Sequence, residues 1–304
     1  MIIVFEPYGQ LSNRLFLSAY GMALAKASGQ QFINLSLGEY SHLFPATRPP
    51  FHRWMNYFHR CMRALIARLK GFPIARRWFV SIDRQNAADY SPDNSTFLAA
   101  VKQRPLTFIE GWPDLSRISF PAGSGDTIRA TFEPEAQVAQ LAQETVRVAK
   151  GGADVLVGLH MRLGDYKRYR HGIFHYQLQD YRLTLERMTA LFPGRQVAFL
   201  ICSNEHQKAE AFVPFQVTIG PGTLLGDLYS LAGCDYLVGP PSTYSLWAAF
   251  YGNKPLYHMV EPEPPSDLST FMIPDGHFEC IDLKLDNPEI ERRRRARGTV
   301  SSDQ

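Results

Sequence analysis

Apolar and polar positions alternate in blocks through the second half of this chain. Strand-length apolar runs lie at residues 155–160, 196–203, 215–219, 235–239 and 255–260, with helix-like segments at 177–191, 205–212, 224–234 and 242–251 between them. Short strands alternating with helices predict a parallel, doubly wound sheet. A sheet of that kind presents its ligand site at the carboxyl ends of its strands. The first half is less regular. It predicts a strand over 1–5, a loop over 6–13, a helix over 14–28 stopped by Gly29, strands over 31–35 and 106–110, and a helix over 134–150. The stretch "KGGAD" after that helix marks a domain boundary, giving residues 1–150 and 151–304. The expectation is an α/β protein of two Rossmann-like domains whose parallel sheets face each other across a cleft. Residues 54–69, "WMNYFHRCMRALIARL", predict an amphipathic basic helix with Trp54, Phe58, Cys61, Leu65, Ile66 and Leu69 near one face. Such a helix either lies in a membrane interface or packs its apolar stripe on its own domain.

Composition narrows the class. At 304 residues, with 45% hydrophobic and 20% charged positions, the chain has material for two cores. No apolar run reaches the length that spans a bilayer, and the interrupted run 1–7 does not read as a signal peptide. Cys61, Cys202, Cys234 and Cys280 form no Cys-x-x-Cys pair, which suits reduced thiols in the cytoplasm rather than a disulfide framework. The net charge of +3 is unevenly spread: residues 41–82 contain no acid but eight lysines and arginines. A second basic cluster, Arg292–Arg295 with Arg297, lies near the C-terminus. Clusters of this kind suit phosphates, acidic glycans, nucleic acid or an anionic membrane surface. No RNP-type aromatic motif supports nucleic acid.

Three motifs fall at strand tips. "PYGQLSNR" (7–14) joins a strand to a helix through Gly9, where backbone can approach a ligand and free helix N–H groups attract anions. In "HMRLGD" (160–165), Arg162 offers a planar fork for phosphate oxygens and His160 can orient it or bind a hydroxyl. Asp165 can pin that arginine, cap the loop or act as a base. In "GPPSTYSLW" (239–247), Ser242 or Thr243 caps a helix whose N-terminus can cradle a phosphate. Each also has a plain structural reading, as an ion pair or a cap. The chain lacks the Rossmann and Walker glycine patterns and the zincin pattern. No two aspartates are separated by one residue, so the Asp-x-Asp metal bridge to a nucleotide diphosphate is missing.

Taken in order, these motifs resemble glycosyltransferase family 11, the α-1,2-fucosyltransferases, and their wider α-1,6- and protein O-fucosyltransferase relatives. The opening loop stands as "YGQLSNRLF", the His-x-Arg-Arg-Gly-Asp-Tyr signature as "HMRLGDY", and the "FSDD" strand end as "ICSNE". The segment "DLYSLAGCDYLVGPPSTYSLW" (227–247) matches the family's last motif, and "GWPDLSRISF" echoes an intermediate one. The departures are Leu163 for the second arginine, and Asn204 and Glu205 for two aspartates. The resemblance implies a GT-B fold and inverting transfer of L-fucose from GDP-β-L-fucose to a glycan hydroxyl, in α-1,2 linkage, without a metal or other cofactor. It implies that Arg162 binds the β-phosphate with His160 beside it, and that Asp227 contacts the guanosine near Ser203. Ser242, Thr243 and Tyr244 would hold the diphosphate. Gly9, Asn13 and Arg14 would serve the donor side, with Asn13 facing the fucose. Asp165, His160 and Glu6 are the alternatives for the base. By the same analogy the acceptor is a glycan or lipid-linked oligosaccharide of bacterial surface polysaccharide synthesis. The protein is then expected in the cytoplasm, peripheral at the inner face of the membrane. The rival expectations are a GT-B enzyme using another nucleotide sugar and a non-catalytic glycan- or nucleotide-binding protein.

Overall fold

The computed structural model describes residues 1–48, 52–83, 85–259, 265 and 267–276, without the side chains of 52–56, 116 and 170. The Trp54 side chain, Val260, Cys280 and the basic C-terminal cluster lie outside the described residues. Two compact units divide the chain: Met1–Glu135 with residues 275–276, and Ala136–Pro274.

The first unit contains β1 (Ile2–Val4), α1 (Leu11–Ser28), β2 (Phe32–Asn34), α2 (His52–Leu69), β3 (Phe79–Ile82), α3 (Ser95–Gln103), β4 (Thr107–Gly111) and α4 (Ser124–Thr131). Its four strands are parallel in the order β2-β1-β4-β3. Helix α1 begins three residues earlier than its sequence pattern suggests, which puts Asn13 and Arg14 in its first turn. The edge strand β3 and the short helices α3 and α4 are additions to the elements legible in the sequence. Helix α3 is set by Asn94, whose Oδ1 accepts the Phe97 N–H at 3.0 Å.

The second unit contains α5 (Ala136–Lys150), β5 (Val155–Met161), α6 (Leu178–Ala190), β6 (Val197–Ser203), β7 (Gln216–Ile219), α7 (Leu224–Ala232), β8 (Tyr236–Gly239), α8 (Thr243–Gly252) and β9 (Leu256–His258). Helix α5, read from sequence as the end of the first domain, groups with this second unit. All five strands are parallel in the order β7-β6-β5-β8-β9. The helix expected over 205–212 is only a 3-10 turn at Ala209–Phe212. Pro214 follows closely and only Phe212 in that turn is buried, so neither backbone nor burial extends it.

Strand β5 is buried along all seven residues, as a central parallel strand covered on both faces must be. Val155, Val157, Leu159 and Met161 join Tyr181, Leu185 and Met188 of α6 in one cluster. The alternate residues face α7 and α8. There Gly158 has no room for a side chain, since a Cβ would lie 2.7 Å from Leu237, 2.9 Å from Leu231 and 3.0 Å from Cys234. Replacing Gly158 by valine should overpack this face and lower stability by about 1–3 kcal/mol. Urea denaturation reads the loss, and an unchanged midpoint would show that α7 can move aside.

Candidate functional site

In the second unit the chain runs from β5 to β6 and β7 on one flank, then returns to β8 on the other. The reversal makes a switch point between β5 and β8, where sheets of this type place ligands. Parallel pairing brings the tips together: His160 is level with Cys202 and Met161 with Ser203. The sequence-singled residues of this half therefore gather at one edge of the sheet.

Arg162 leaves β5 at that edge, and its Nε and Nη2 donate to Asp165 Oδ1 and Oδ2, each at 2.8 Å. The guanidinium also sits 5.7 Å from the centre of the Tyr166 ring. Of the roles open to Asp165, the structure displays pinning: a two-pronged pair that fixes the plane of the arginine. Asn204 braces the same loop. Its Oδ1 accepts the Leu163 N–H at 2.8 Å, and its Nδ2 lies 3.4 Å from Asp165. Ser203 Oγ accepts the Glu205 N–H at 3.2 Å.

His160 is fully buried, and among the described residues its Nδ1 has no hydrogen-bond partner. Burial, then the positive charge of Arg162, pushes its pKa down to about 3. The imidazole is neutral at any working pH. Its ring lies 5.1 Å from that of Tyr244. His258, the last residue of β9, adds to the depression and stands 3.3 Å from Ser245 Oγ through Nε2.

Ser242 caps α8, accepting the Tyr244 N–H at 3.2 Å. The Tyr166 hydroxyl donates to Pro241 O at 2.5 Å and fastens the turn before that cap. Thr243, partly exposed, opens the helix. The Tyr244 hydroxyl donates to Leu224 O at 2.7 Å, tying the starts of α8 and α7 together. Asp227, in the opening turns of α7, accepts the Gly222 N–H at 2.8 Å. Its carboxyl is buried, and desolvation raises its pKa to about 6. The edge thus carries an arginine fork, a capped helix N-terminus and a buried carboxyl whose pKa is raised to about 6. That set suits a nucleotide diphosphate: cation and helix dipole for phosphates, acceptor for a base or sugar.

In the first unit the switch point falls between β1 and β4. Glu6 Oε2 accepts the Gly111 N–H across it at 2.9 Å. Tyr8 and Trp112 stack there, with ring centres 5.0 Å apart. Gly9 has φ +60, and a Cβ on it would collide with Asn13 Nδ2 at 2.0 Å. Arg14 turns inward, donating to Gly9 O at 3.2 Å, Ser36 O at 3.4 Å and Glu39 at 2.7 Å. Those bonds lock the β1–α1 loop onto the chain after β2. Among the described residues no group of three His, Cys, Asp or Glu is placed to hold a metal ion.

Sequence reasoning left Tyr166, His258 and Trp112 out of the site. Tyr166 and Trp112 stood in quoted motifs, "HMRLGDY" and "GWPDLSRISF", while the signal for His258 was a position at the carboxyl end of a strand.

The architecture, α/β with two parallel sheets, is that of the GT-B fucosyltransferases. Arabidopsis thaliana FUT1, an arginine-to-lysine mutant in complex with GDP, aligns over 91% of this chain and 74% of its own, at 15% identity and TM-score 0.56. NodZ α-1,6-fucosyltransferase co-crystallised with GDP aligns over 84% and 94%, at 15% identity and TM-score 0.52. POFUT1 in complex with GDP-fucose aligns over 88% and 96%, at 11% identity and TM-score 0.51. No protein-family model and no curated protein matches the sequence.

A buried neutral histidine carries a pH signature. The unfolded chain takes up a proton near pH 6.5 and folded His160 resists it until about 3, so stability is lost as pH falls below 6.5. The slope approaches about 1.4 kcal/mol per pH unit well below that point. His160→Asn should flatten this acid limb relative to the parent in urea titrations at pH 7 and 5. Parallel limbs would mean that His160 can be protonated in place.

Proposed function

We propose that the protein is a fucosyltransferase that takes L-fucose from GDP-fucose and moves it to a glycan hydroxyl. The observation that carries this reading is the gathering of Arg162, the Ser242-capped start of α8 and the buried Asp227 on one sheet edge, at the switch point of a fold shared with GDP-bound fucosyltransferases. Arg162 and the α8 N-terminus bind the diphosphate. Tyr244 fixes the α7 and α8 starts at the spacing the nucleotide needs, beside Ser203 and Thr243. Asp227 accepts N–H groups of guanine. Gly9, Asn13 and Arg14 shape the donor-side loop of the first unit, and Glu6, Tyr8 and Trp112 take part in acceptor binding.

The acceptor oxygen attacks the anomeric carbon from the face opposite GDP. The bond to the β-phosphate oxygen breaks, its electron pair leaves with GDP, and the hydroxyl proton passes to a weak base on the acceptor's face of the ring. Inversion turns the β-linked donor into an α-fucoside, for which α-1,2 is the linkage we favour. Burial removes the basicity of His160, and Arg162 holds both oxygens of Asp165. Stabilisation of the leaving diphosphate therefore supplies most of the acceleration, by electrostatics set before the reaction begins. We assign that work to Arg162 and the helix N-terminus rather than to a metal, because the chain has no Asp-x-Asp bridge. The acceptor class we favour is a bacterial surface glycan or its lipid-linked precursor.

Turnover of labelled GDP-fucose against a glycan panel tests the reading, with GDP-mannose and UDP-sugars as controls and EDTA in a parallel series. Arg162→Ala should lose on the order of 10²–10³ in rate, and Arg162→Lys, which keeps the charge but not the fork, should be severely impaired. Met161 turns into the α6-side cluster, so Met161→Leu should be near neutral. Melting temperatures confirm that all three are folded. Near-normal turnover in Arg162→Ala, equal affinity for UDP, or activity that EDTA abolishes and manganese restores would overturn the mechanism.

Asp227 supplies a second check. Its carboxylate form accepts the guanine N–H groups, and its pKa is about 6. GDP affinity should therefore rise with pH through 6, and at pH 5 only about a tenth of the carboxyl is ionised. Calorimetry should show GDP binding about tenfold weaker at pH 5 than at pH 7.5, with the difference lost in Asp227→Asn. A pH-independent Kd in the parent would remove Asp227 from base recognition.

A further inference from the structure

Helix α2 has one broad apolar face, and only one side of it is used by the core. Met62 and Ile66 pack into the cluster of Ile3, Phe5, Leu35 and Phe108. Phe58, Cys61 and Leu65, spaced three and four residues apart, border that side and are left exposed. Exposure there is high: Phe58 50%, Leu65 49% and Tyr57 68%, continued past the helix by Phe72 at 60% and Ile74 at 72%. Core packing explains the buried side and leaves this exposed stripe unaccounted for.

The charge around that stripe is of one sign. Residues 41–82 contain no aspartate or glutamate. Arg48 is paired with Glu135, and Lys70 with Glu110. Arg60, Arg68 and Arg76 form no ion pair among the described residues, and Arg77 lies over the Trp78 ring at 5.7 Å. An apolar stripe flanked by uncompensated arginines on a helix fits the plane of an anionic membrane interface, with rings among the acyl chains and guanidinium groups at the phosphates. A two-fold pairing with a second copy would instead set these arginines against each other. No helix of the described residues is long and apolar enough to cross a bilayer, so any membrane contact through α2 is peripheral.

We propose that the exposed side of α2 and the turn after it dock the protein on an anionic lipid bilayer. This surface is independent of the donor site, and its test does not involve GDP-fucose.

The experiment is flotation of the full chain with vesicles of phosphatidylcholine alone or mixed with phosphatidylglycerol. Binding should require the anionic lipid and fall as salt screens the arginines. Arg60→Gln and Arg68→Gln should each lower the partition about fivefold, and Phe58→Ser with Leu65→Ser by about tenfold or more. These positions are exposed, so melting temperatures should be unchanged. Failure to float with anionic vesicles, equal flotation with neutral ones, or variants that partition like the parent would overturn the proposal. So would a dimer in sedimentation that the Phe58→Ser, Leu65→Ser variant abolishes, because the stripe would then belong to a second copy.

Discussion

The pairing of β5 with a parallel neighbour on each side governs the rest of the second unit. A strand hydrogen-bonded along both edges and covered on both faces must be largely apolar, and β5 is buried from Val155 to Met161 with His160, near its end, as its one polar side chain. Polar chemistry can then enter only where the strand stops. All five strands run in one direction, so their ends share an edge, and the helices that follow β7 and β8 begin there too. The free N–H groups of α7 and α8 thus face the same side as Arg162 without any further specification. The gathering of helix N–H donors beside Arg162 at this edge is a consequence of strand direction.

Burial then sets the electrostatics. His160 is the last but one residue of β5 and lies still inside the sheet, where solvent cannot support its charge. Two residues later Arg162 has emerged, and its charge is held by Asp165. The same desolvation acts on Asp227, whose carboxyl is driven upward while one backbone N–H partly offsets the effect. One edge therefore holds a buried imidazole kept neutral, a guanidinium paired with a carboxylate, and a buried carboxyl whose pKa is raised. Shifted pKa values such as those of His160 and Asp227 cluster at sites that bind or transform ligands.

The first unit divides its labour differently. Its basic groups are not uniformly solvated: Arg14, in α1, lies within the fold, pinned to Glu39, and Arg48 and Lys70 of the acid-free stretch pair with carboxylates outside it. Arg60, Arg68 and Arg76, without an ion pair among the described residues, share that stretch with apolar side chains that the core does not take. The two readings of this helix left open by its sequence apply to two sides of one apolar face: Met62 and Ile66 serve the core, and Phe58 and Leu65 are left half-exposed beside them.

The sequence by itself determined the alternation of strands and helices in the second half, because strands buried on both faces leave continuous apolar runs and their interruptions mark the tips. It therefore located His160, Arg162, Ser203 and Ser242 at strand ends. In the first half β3, a four-residue edge strand, leaves too short a run to read, and 205–212 has helical composition without the burial that sustains a helix. Tertiary structure alone decided the partnerships: Arg14 with Glu39, Tyr244 with Leu224, Tyr8 with Trp112, Lys70 with Glu110. These join residues 20 to more than 100 positions apart. Which distant residues meet depends on strand order and on where the crossovers return, and local periodicity carries neither.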